Sequence, residues 1–241
     1  MPLSFESCSS TISSAFQRVV AKLELGPLVL FVGMLVVFYS INPTFLSPLN
    51  ISNTLTFTVE IGLIALAMTL LMTSGEFDLS VGAVFGFAQV LMWTLLNSGV
   101  TSLELGFLIA LSTAALIGVV SGWFVTRLKI PSFLVTLGML LVVRGTVLYI
   151  TSGFPQRTWS AEGRLLADIL VGDFYVGPFR LYMSLVWFIA AALILHYVLT
   201  QTRVGNWLQA AGGNPQAAVA RGVNVARTKV GLFILSAVMA G

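Results

Sequence analysis

The chain has very few charged side chains. They make up 9% of its 241 residues, and 57% of the residues are hydrophobic, whereas soluble domains carry about 25% charged residues. This balance excludes a soluble globular domain and indicates an all-α, polytopic transmembrane protein in the lipid bilayer. The formal net charge is only +3, and the basic residues lie in loops without forming a stripe. A nucleic-acid partner is therefore not expected.

Cysteine and the known catalytic motifs are also scarce. Cys8 is the only cysteine, so an internal disulfide is excluded. The sequence has no G-x-x-x-x-G-K-[ST], H-E-x-x-H or G-x-S-x-G motif and no Cys/His cluster. We therefore expect no enzymatic activity, no metal site and no cofactor. The first 26 residues are polar and lack the apolar core of a cleavable signal peptide, so the first apolar segment is predicted to be a retained anchor.

Long apolar segments dominate the rest of the sequence. The predicted transmembrane spans are, approximately, residues 26–41, 51–72, 78–98, 103–126, 132–149 and 181–199. A seventh segment starts near Val230 and has about a dozen residues, whereas a span needs roughly 17–25. We expect the seventh helix to be incomplete, or the chain to be a fragment of a longer protein. Residues 1–25 are predicted to be a cytoplasmic tail, 26–241 the membrane domain and 151–177 a polar loop.

The distribution of Lys and Arg predicts the orientation. With a cytoplasmic N-terminus, eight of the twelve basic residues fall on the inner side, three on the outer side and one within a span. The inner residues are Arg18, Lys22, Arg127, Lys129, Arg203, Arg221, Arg227 and Lys229; the outer ones are Arg157, Arg164 and Arg180; Arg144 lies within a span. This bias places the polar stretch 201–229 in the cytoplasm.

A short helix with marked ends lies inside the stretch 201–229. Asn214 is suited to cap its N-terminus, and Pro215 follows at the first helical position, where a missing N–H costs nothing. Gly222 is suited to the left-handed conformation that ends a helix. Two turns of helix do not persist alone in water. We therefore expect another protein to hold this helix from the aqueous side.

The break between the second and third spans is the second unusual feature. It reads S-G-E-F-D-L-S-V-G over residues 74–82. Asp78 is predicted to cap the third helix, and Gly82 and Gly86 form a small-xxx-small step for close helix packing. Two explanations stay open: a tight cap with a packing face, or a re-entrant segment that includes Ser80 and lines a pathway.

Other residues inside the spans suggest either packing or function. Gly118 and Gly122 repeat the small-xxx-small spacing, and Gly138 lies in the fifth span; all three are predicted to allow close helix packing. Glu60 and Arg144 are ionisable and would each cost at least about 2.5 kcal/mol if they faced lipid. Both fall in the outer half of the membrane, so we expect them to pair or to line one aqueous cavity.

Three ordered motifs resemble those of the ribose-type ABC importer permeases, a family of membrane subunits for sugars and related solutes. T-L-L-M-T-S-G-E-F-D-L-S-V-G-A (residues 69–83) is similar to the family's G-x-D-L-S-V-G region. K-I-P-S-F-L-V-T-L-G-M (residues 129–139), followed by Arg144-Gly145, resembles its P-x-F-x-x-T-L-G-M…R-G stretch. A-A-G-G-N-P-Q-A-A-V-A-R-G-V-N-V (residues 210–225) resembles its cytoplasmic loop. The likeness covers residues 50–241 in order.

The resemblance implies a function and a set of partners. The capped helix would be the coupling helix that docks on a cytoplasmic ATP-binding subunit, which would bind the ATP. A second permease subunit, of the same or a different chain, would complete the path in the bacterial inner membrane. A periplasmic solute-binding protein would deliver solute to the outer face. The residues that carry over to the coupling role are Asn214, Pro215, Gln216, Ala217, Ala218, Arg221 and Gly222.

Two departures from the family pattern leave alternatives open. Family members continue with several more helices, and acidic Glu76 stands where they carry a small or apolar residue. The alternatives are a secondary transporter that uses Glu60 or Asp78 as an ion or proton site, a membrane enzyme, and a non-functional truncated permease. The solute is expected to be a sugar or a similar small polar molecule.

Overall fold

The computed structural model describes residues 25–155 and 164–241. The predicted tail therefore lies outside the described residues, as does part of the predicted polar loop. The helices are α1 (Leu25–Ile41), α2 (Pro48–Thr73), α3 (Val81–Asn97), α4 (Leu103–Arg127), α5 (Ser132–Thr151), α6 (Arg164–Val171), α7 (Met183–Gln201), α8 (Arg203–Gly213), α9 (Pro215–Ala220) and α10 (Val225–Ala240). A 3-10 helix spans Pro43–Leu46, and strands β1 (Asp173–Val176) and β2 (Phe179–Tyr182) form a hairpin.

The described residues divide into two compact units, with the boundary between Asn53 and Thr54. In the first unit, Asn42 caps the 3-10 helix, because its side-chain oxygen accepts a hydrogen bond from the Thr44 N–H at 3.0 Å. The rings of Phe38 and Phe45 lie 5.2 Å apart. The second unit contains most of the helices and the motifs that the sequence singles out.

In the part of the chain that the structure describes, four helices are long and apolar enough to cross a membrane: Pro48–Thr73, Leu103–Arg127, Ser132–Thr151 and Met183–Gln201. Gly26–Ile41 and Val81–Asn97 are shorter apolar helices. Many large hydrophobic side chains on these helices are exposed, which is the pattern of surfaces that face lipid. The coarse prediction of an all-α, multi-pass membrane fold is confirmed, with the small hairpin as an addition.

The core of the second unit is where α10 packs along α4. A Cβ atom at Gly118 would lie 2.5 Å from the Phe233 carbonyl oxygen, and one at Gly122 would lie 2.9 Å from the Val230 Cα. Only glycine permits this distance between the two backbones. Phe233 is fully buried at this contact, and α3 packs on α4 and α5 beside it.

The region predicted as a polar loop contains regular structure. Helix α6 and the β1–β2 hairpin lie within or beside residues 151–177. Gly177 forms the turn with a φ of +60°, and Asp173 pairs with Tyr182 at the open end. Aromatic residues alternating around a Gly-Pro turn favour such a hairpin, and the polarity of the segment obscured that signal.

Candidate functional site

The chain between α2 and α3 makes a compact turn of residues 74–80, which we call the motif turn. Gly75 adopts a φ of +80°, a conformation that glycine enters without steric cost. The Ser74 side chain is fully buried, and its hydroxyl donates to the Leu71 carbonyl at 2.7 Å. The motif turn is thus anchored to the last turn of α2 rather than being a free loop.

Asp78 shapes the second half of the motif turn. One carboxylate oxygen accepts hydrogen bonds from the Ser80 N–H at 2.8 Å and from the Ser80 hydroxyl at 2.6 Å. The prediction that Asp78 caps the third helix is wrong, because Ser80 is the cap residue of α3 and makes no side-chain capping bond. Asp78 instead bonds two residues ahead, in an Asx turn, and its side chain is buried.

Helix α8 approaches the motif turn closely. The sequence predictions did not include this helix, which starts at a cap where the Thr202 hydroxyl accepts from the Gly205 N–H. A Cβ atom at Gly212 would lie 2.0 Å from the Thr73 carbonyl oxygen. Leu208 and Ala211 are fully buried on the same helix. Leu208 and Ala211, three residues apart, have the spacing of one helix face, and that signal was available in the sequence.

Two further contacts hold the motif turn from other helices. The Lys229 Nζ in α10 lies 2.5 Å from the Glu76 Oε1. The Phe77 N–H donates to the Ser132 hydroxyl at the start of α5, at 3.3 Å. The motif turn is therefore in contact with α5, α8 and α10. Glu76 and Lys229 are 153 positions apart, and no local pattern in one sequence pairs such residues.

Helix α9 has the ends that the sequence predicts. The Asn214 side-chain oxygen accepts from the Ala217 N–H at 3.0 Å, and Pro215 follows at the first helical position. Gly222 ends the segment with a φ of +83°. Ala218, which the resemblance assigns to the docking face, is buried within this chain.

The outward side of α9 is otherwise accessible. Pro215, Gln216, Ala217 and Arg221 are exposed. A cavity of about 590 Å³ lies beside the helix, and its walls include Gln216 and Val219 from α9 together with Glu76, Lys129 and Lys229. The cavity thus connects the surface of α9 with the ion pair at the motif turn.

Glu60 and Arg144 do not share a site. Glu60 lines a cavity of about 650 Å³ with Gln89 and Trp187. Arg144 lines a different cavity of about 310 Å³, together with Gly82 and Gly86 of α3. Glu60 in α2 and Arg144 in α5 thus line different cavities within the described residues, and a role for either residue in a transport pathway stays a prediction.

Three glycines predicted to pack closely have open space instead. Within residues 25–155 and 164–241, no atom of a neighbouring element lies within 4 Å of a Cβ built at Gly82, Gly86 or Gly138. The small-xxx-small spacing is present in α3, but no helix of the described chain occupies it. The same described ranges contain no group of three or more potential metal ligands.

Comparison with known proteins places the chain in a family. The family described as branched-chain amino acid transport system / permease component matches residues 50–241. The xylose/arabinose import permease protein of Sulfolobus acidocaldarius is 32% identical over 226 residues, which cover 91% of this chain and 61% of that protein. The L-arabinose ABC transporter permease protein of Azospirillum brasilense is 32% identical over 199 residues, covering 83% of this chain and 56% of that protein.

A third relative extends the pattern. The ribose import permease protein of Escherichia coli K12 is 29% identical over 223 residues, covering 90% of this chain and 67% of that protein. The chain thus spans about three fifths of the length of the first two relatives. No solved structure matches it. Because the family match extends over most of the chain, the protein belongs to the branched-chain amino acid transport system permease component family.

Proposed function

We propose that the chain is a permease subunit of an ATP-driven importer for a sugar or a similar small polar solute, in the bacterial inner membrane. One observation carries this proposal. Relatives about 30% identical over most of the chain are permeases for xylose and arabinose, for L-arabinose and for ribose. The chain itself would bind no ATP, since a separate cytoplasmic subunit would do so.

Helix α9 would be the element that docks on the ATP-binding subunit. It has six residues, too few to be stable in isolation, and both of its ends are fixed by Asn214 and Gly222. Gln216 and Ala217 face outward from it. A short, rigidly positioned and exposed helix is well suited to enter a groove on a partner protein.

The positions of the remaining elements support one orientation. The motif turn, the Ser132 end of α5 and helices α8 and α9 meet at one end of the second unit, which would be cytoplasmic. Helix α6 and the hairpin would then lie on the periplasmic side, where a solute-binding protein would dock. A second permease subunit, like or unlike, would complete the pathway.

Transport would follow the logic of alternating access, in which helices rock as rigid bodies around a central site. ATP binding would move α9, and the helices would open the pathway to one side at a time. Glu60 and Gln89 would supply hydrogen-bonding groups for hydroxyls in the larger cavity. Few strong contacts are needed there if the solute-binding protein determines specificity.

Co-purification with the ATP-binding subunit tests the proposal. We expect Ala217→Arg to remove the candidate ATP-binding subunit from the detergent-purified complex, because a bulky charge would occupy the docking face. Ala210→Arg, at an exposed alanine of the neighbouring helix α8, is the matched control and should retain the complex.

The other outcomes contradict the proposal at different points. Retention of the complex by Ala217→Arg would move the docking face away from α9. Absence of the complex with the wild type, together with proton- or sodium-driven uptake, would favour a secondary transporter instead.

A further inference from the structure

We propose that the Glu76–Lys229 ion pair is a positioning link that transmits the displacement of α9 to the junction between α2 and α3. This inference rests on the proposed function, in which α9 docks on an ATP-binding subunit. It assigns a role to Glu76, the residue at which the motif turn departs from the pattern it otherwise resembles.

Lys229 of the ion pair lies close to α9 along the chain. Lys229 lies just over one turn into α10, which begins at Val225 after a cap in which the Asn224 side-chain oxygen accepts from the Arg227 N–H at 3.0 Å. Only four residues separate the end of α9 at Ala220 from this helix. A displacement of α9 is therefore delivered to Lys229 through a short and capped connection.

The two side chains of the ion pair are largely buried. The side chains of Lys229 and Glu76 are 14% and 13% exposed, and their charged atoms lie 2.5 Å apart. Both residues also line the cavity beside α9, but separating two charges that are this largely buried still costs free energy. The two side chains must therefore move together, or else pay the desolvation of separated charges.

The residues on either side of Glu76 are also held in place. Gly212 of α8 packs on the Thr73 carbonyl at the start of the motif turn. Two residues beyond Glu76, Asp78 hydrogen-bonds Ser80, the residue that caps α3. The motif turn thus contacts α8, which precedes α9 in the chain, and α10, which follows α9. Because the motif turn contacts the helices before and after α9, a displacement of α9 is expected to displace the motif turn as well.

The test reports on α3 without requiring the solute. In a Cys8→Ser background, Gly86→Cys places a single thiol on α3 where a Cβ meets no neighbour within 4 Å. The permease is assembled with its ATP-binding subunit, and maleimide labelling of the thiol is timed with and without a non-hydrolysable ATP analogue. We expect the analogue to change the labelling rate at least about fivefold, the lower range of coupling between two sites.

Variants of the pair then isolate the link. Glu76→Ala/Lys229→Ala removes the contact without leaving a lone buried charge, which favours folding over either single change. We expect this variant to co-purify with the ATP-binding subunit but to label at one rate with and without the analogue. The exchange Glu76→Lys/Lys229→Glu should restore the response, which a merely structural role of either residue does not predict.

The possible results separate this inference from the function it rests on. A full response in the double alanine variant would overturn the link, as would an absence of response in a wild-type complex that does form. Failure of the exchange to restore the response would also overturn it. Failure of the wild type to bind the ATP-binding subunit would instead overturn the proposed function.

Discussion

The two ends of the second unit differ in how closely their backbones pack and in how exposed their charged groups are. At the end with the motif turn, backbones touch: Gly212 lies on the Thr73 carbonyl, and Ser74 and Asp78 are buried. A cavity of about 590 Å³ also lies at that end, beside α9. At the end with the hairpin, a cavity of about 650 Å³ is lined by residues that include Glu60 and Gln89. The one ion pair found there in the described residues, Arg180 with Asp173, is substantially exposed.

This difference fits a division of labour. An end that must transmit movement benefits from close packing, because densely packed groups shift together rather than deform. An end that admits solute and meets a binding protein requires space and accessible polar groups. Substitutions at the two ends test this contrast.

Gly212→Val should cause the largest loss of stability. Its Cβ would be placed 2.0 Å from the Thr73 carbonyl oxygen, and forcing extra atoms into a packed site costs about 1–3 kcal/mol or more. Thermal unfolding in detergent measures the effect. Gly213→Val is the control, since a Cβ there meets nothing within 4 Å; equal unfolding temperatures for the two variants would contradict the close packing.

Gly118→Ala should have the next largest effect. Its Cβ would lie 2.5 Å from the Phe233 carbonyl oxygen, so α10 must move away from α4. We expect a loss of about 1–2 kcal/mol, because the better helix propensity of alanine offsets part of the overpacking. Gly86→Ala, in open space on α3, should be neutral or slightly stabilising in the same unfolding assay. A loss at Gly86 as large as that at Gly118 would refute the assignment of the packing face.

Glu60→Gln and Arg144→Gln should each lower uptake while leaving co-purification intact. Because the two residues line separate cavities, the two losses of uptake, each expressed as a free-energy change, should add in the double variant. Uptake of radiolabelled ribose, arabinose, xylose and galactose into vesicles measures the effect, with Glu104→Gln at the start of α4 as the control. A double variant no worse than either single one would show that the two residues act as a pair after all.

Asp173→Asn should have the smallest effect, because an exposed ion pair contributes little. The hydrogen bond from Arg180 lowers the pKa of Asp173 below its ordinary value of 3.8. The contribution is therefore present above that value and is lost as the pH falls through the lowered pKa. Unfolding temperatures of the two proteins should differ slightly at pH 7 and converge in acid; a difference that grows in acid would contradict the sign.

The sequence predicted what depends on local composition and spacing. Apolar runs located the spans closely, as with 103–126 against α4 (Leu103–Arg127). The Asn-Pro and Gly222 signals located α9, because capping depends on neighbouring residues alone. Helix α8 was not predicted although its apolar spacing was visible; three of its eleven residues are glycines, which lower the intrinsic helix propensity.

Contacts between residues far apart in the chain could not be predicted from the sequence. The Glu76–Lys229 pair depends on how α10 folds back on the motif turn, and hydropathy does not specify that. The burial of Ala218 and the separate cavities of Glu60 and Arg144 have the same cause, because they depend on which helix faces meet. For Asp78, a hydrogen-bond acceptor at a chain turn was correctly expected, but its donor was not, because an Asx turn and a helix cap use the same carboxylate oxygen.

Site-specific cross-linking tests the central claim most directly. With Cys8→Ser as background, Ala217→Cys places a single thiol on α9 and Tyr175→Cys places one on the hairpin, at a residue 69% exposed. A thiol-to-amine cross-linker is added to membranes that contain the permease and its ATP-binding subunit. The account predicts that the ATP-binding subunit is captured from position 217 and not from position 175. Capture from position 175 alone would contradict both the docking role of α9 and the orientation of the chain.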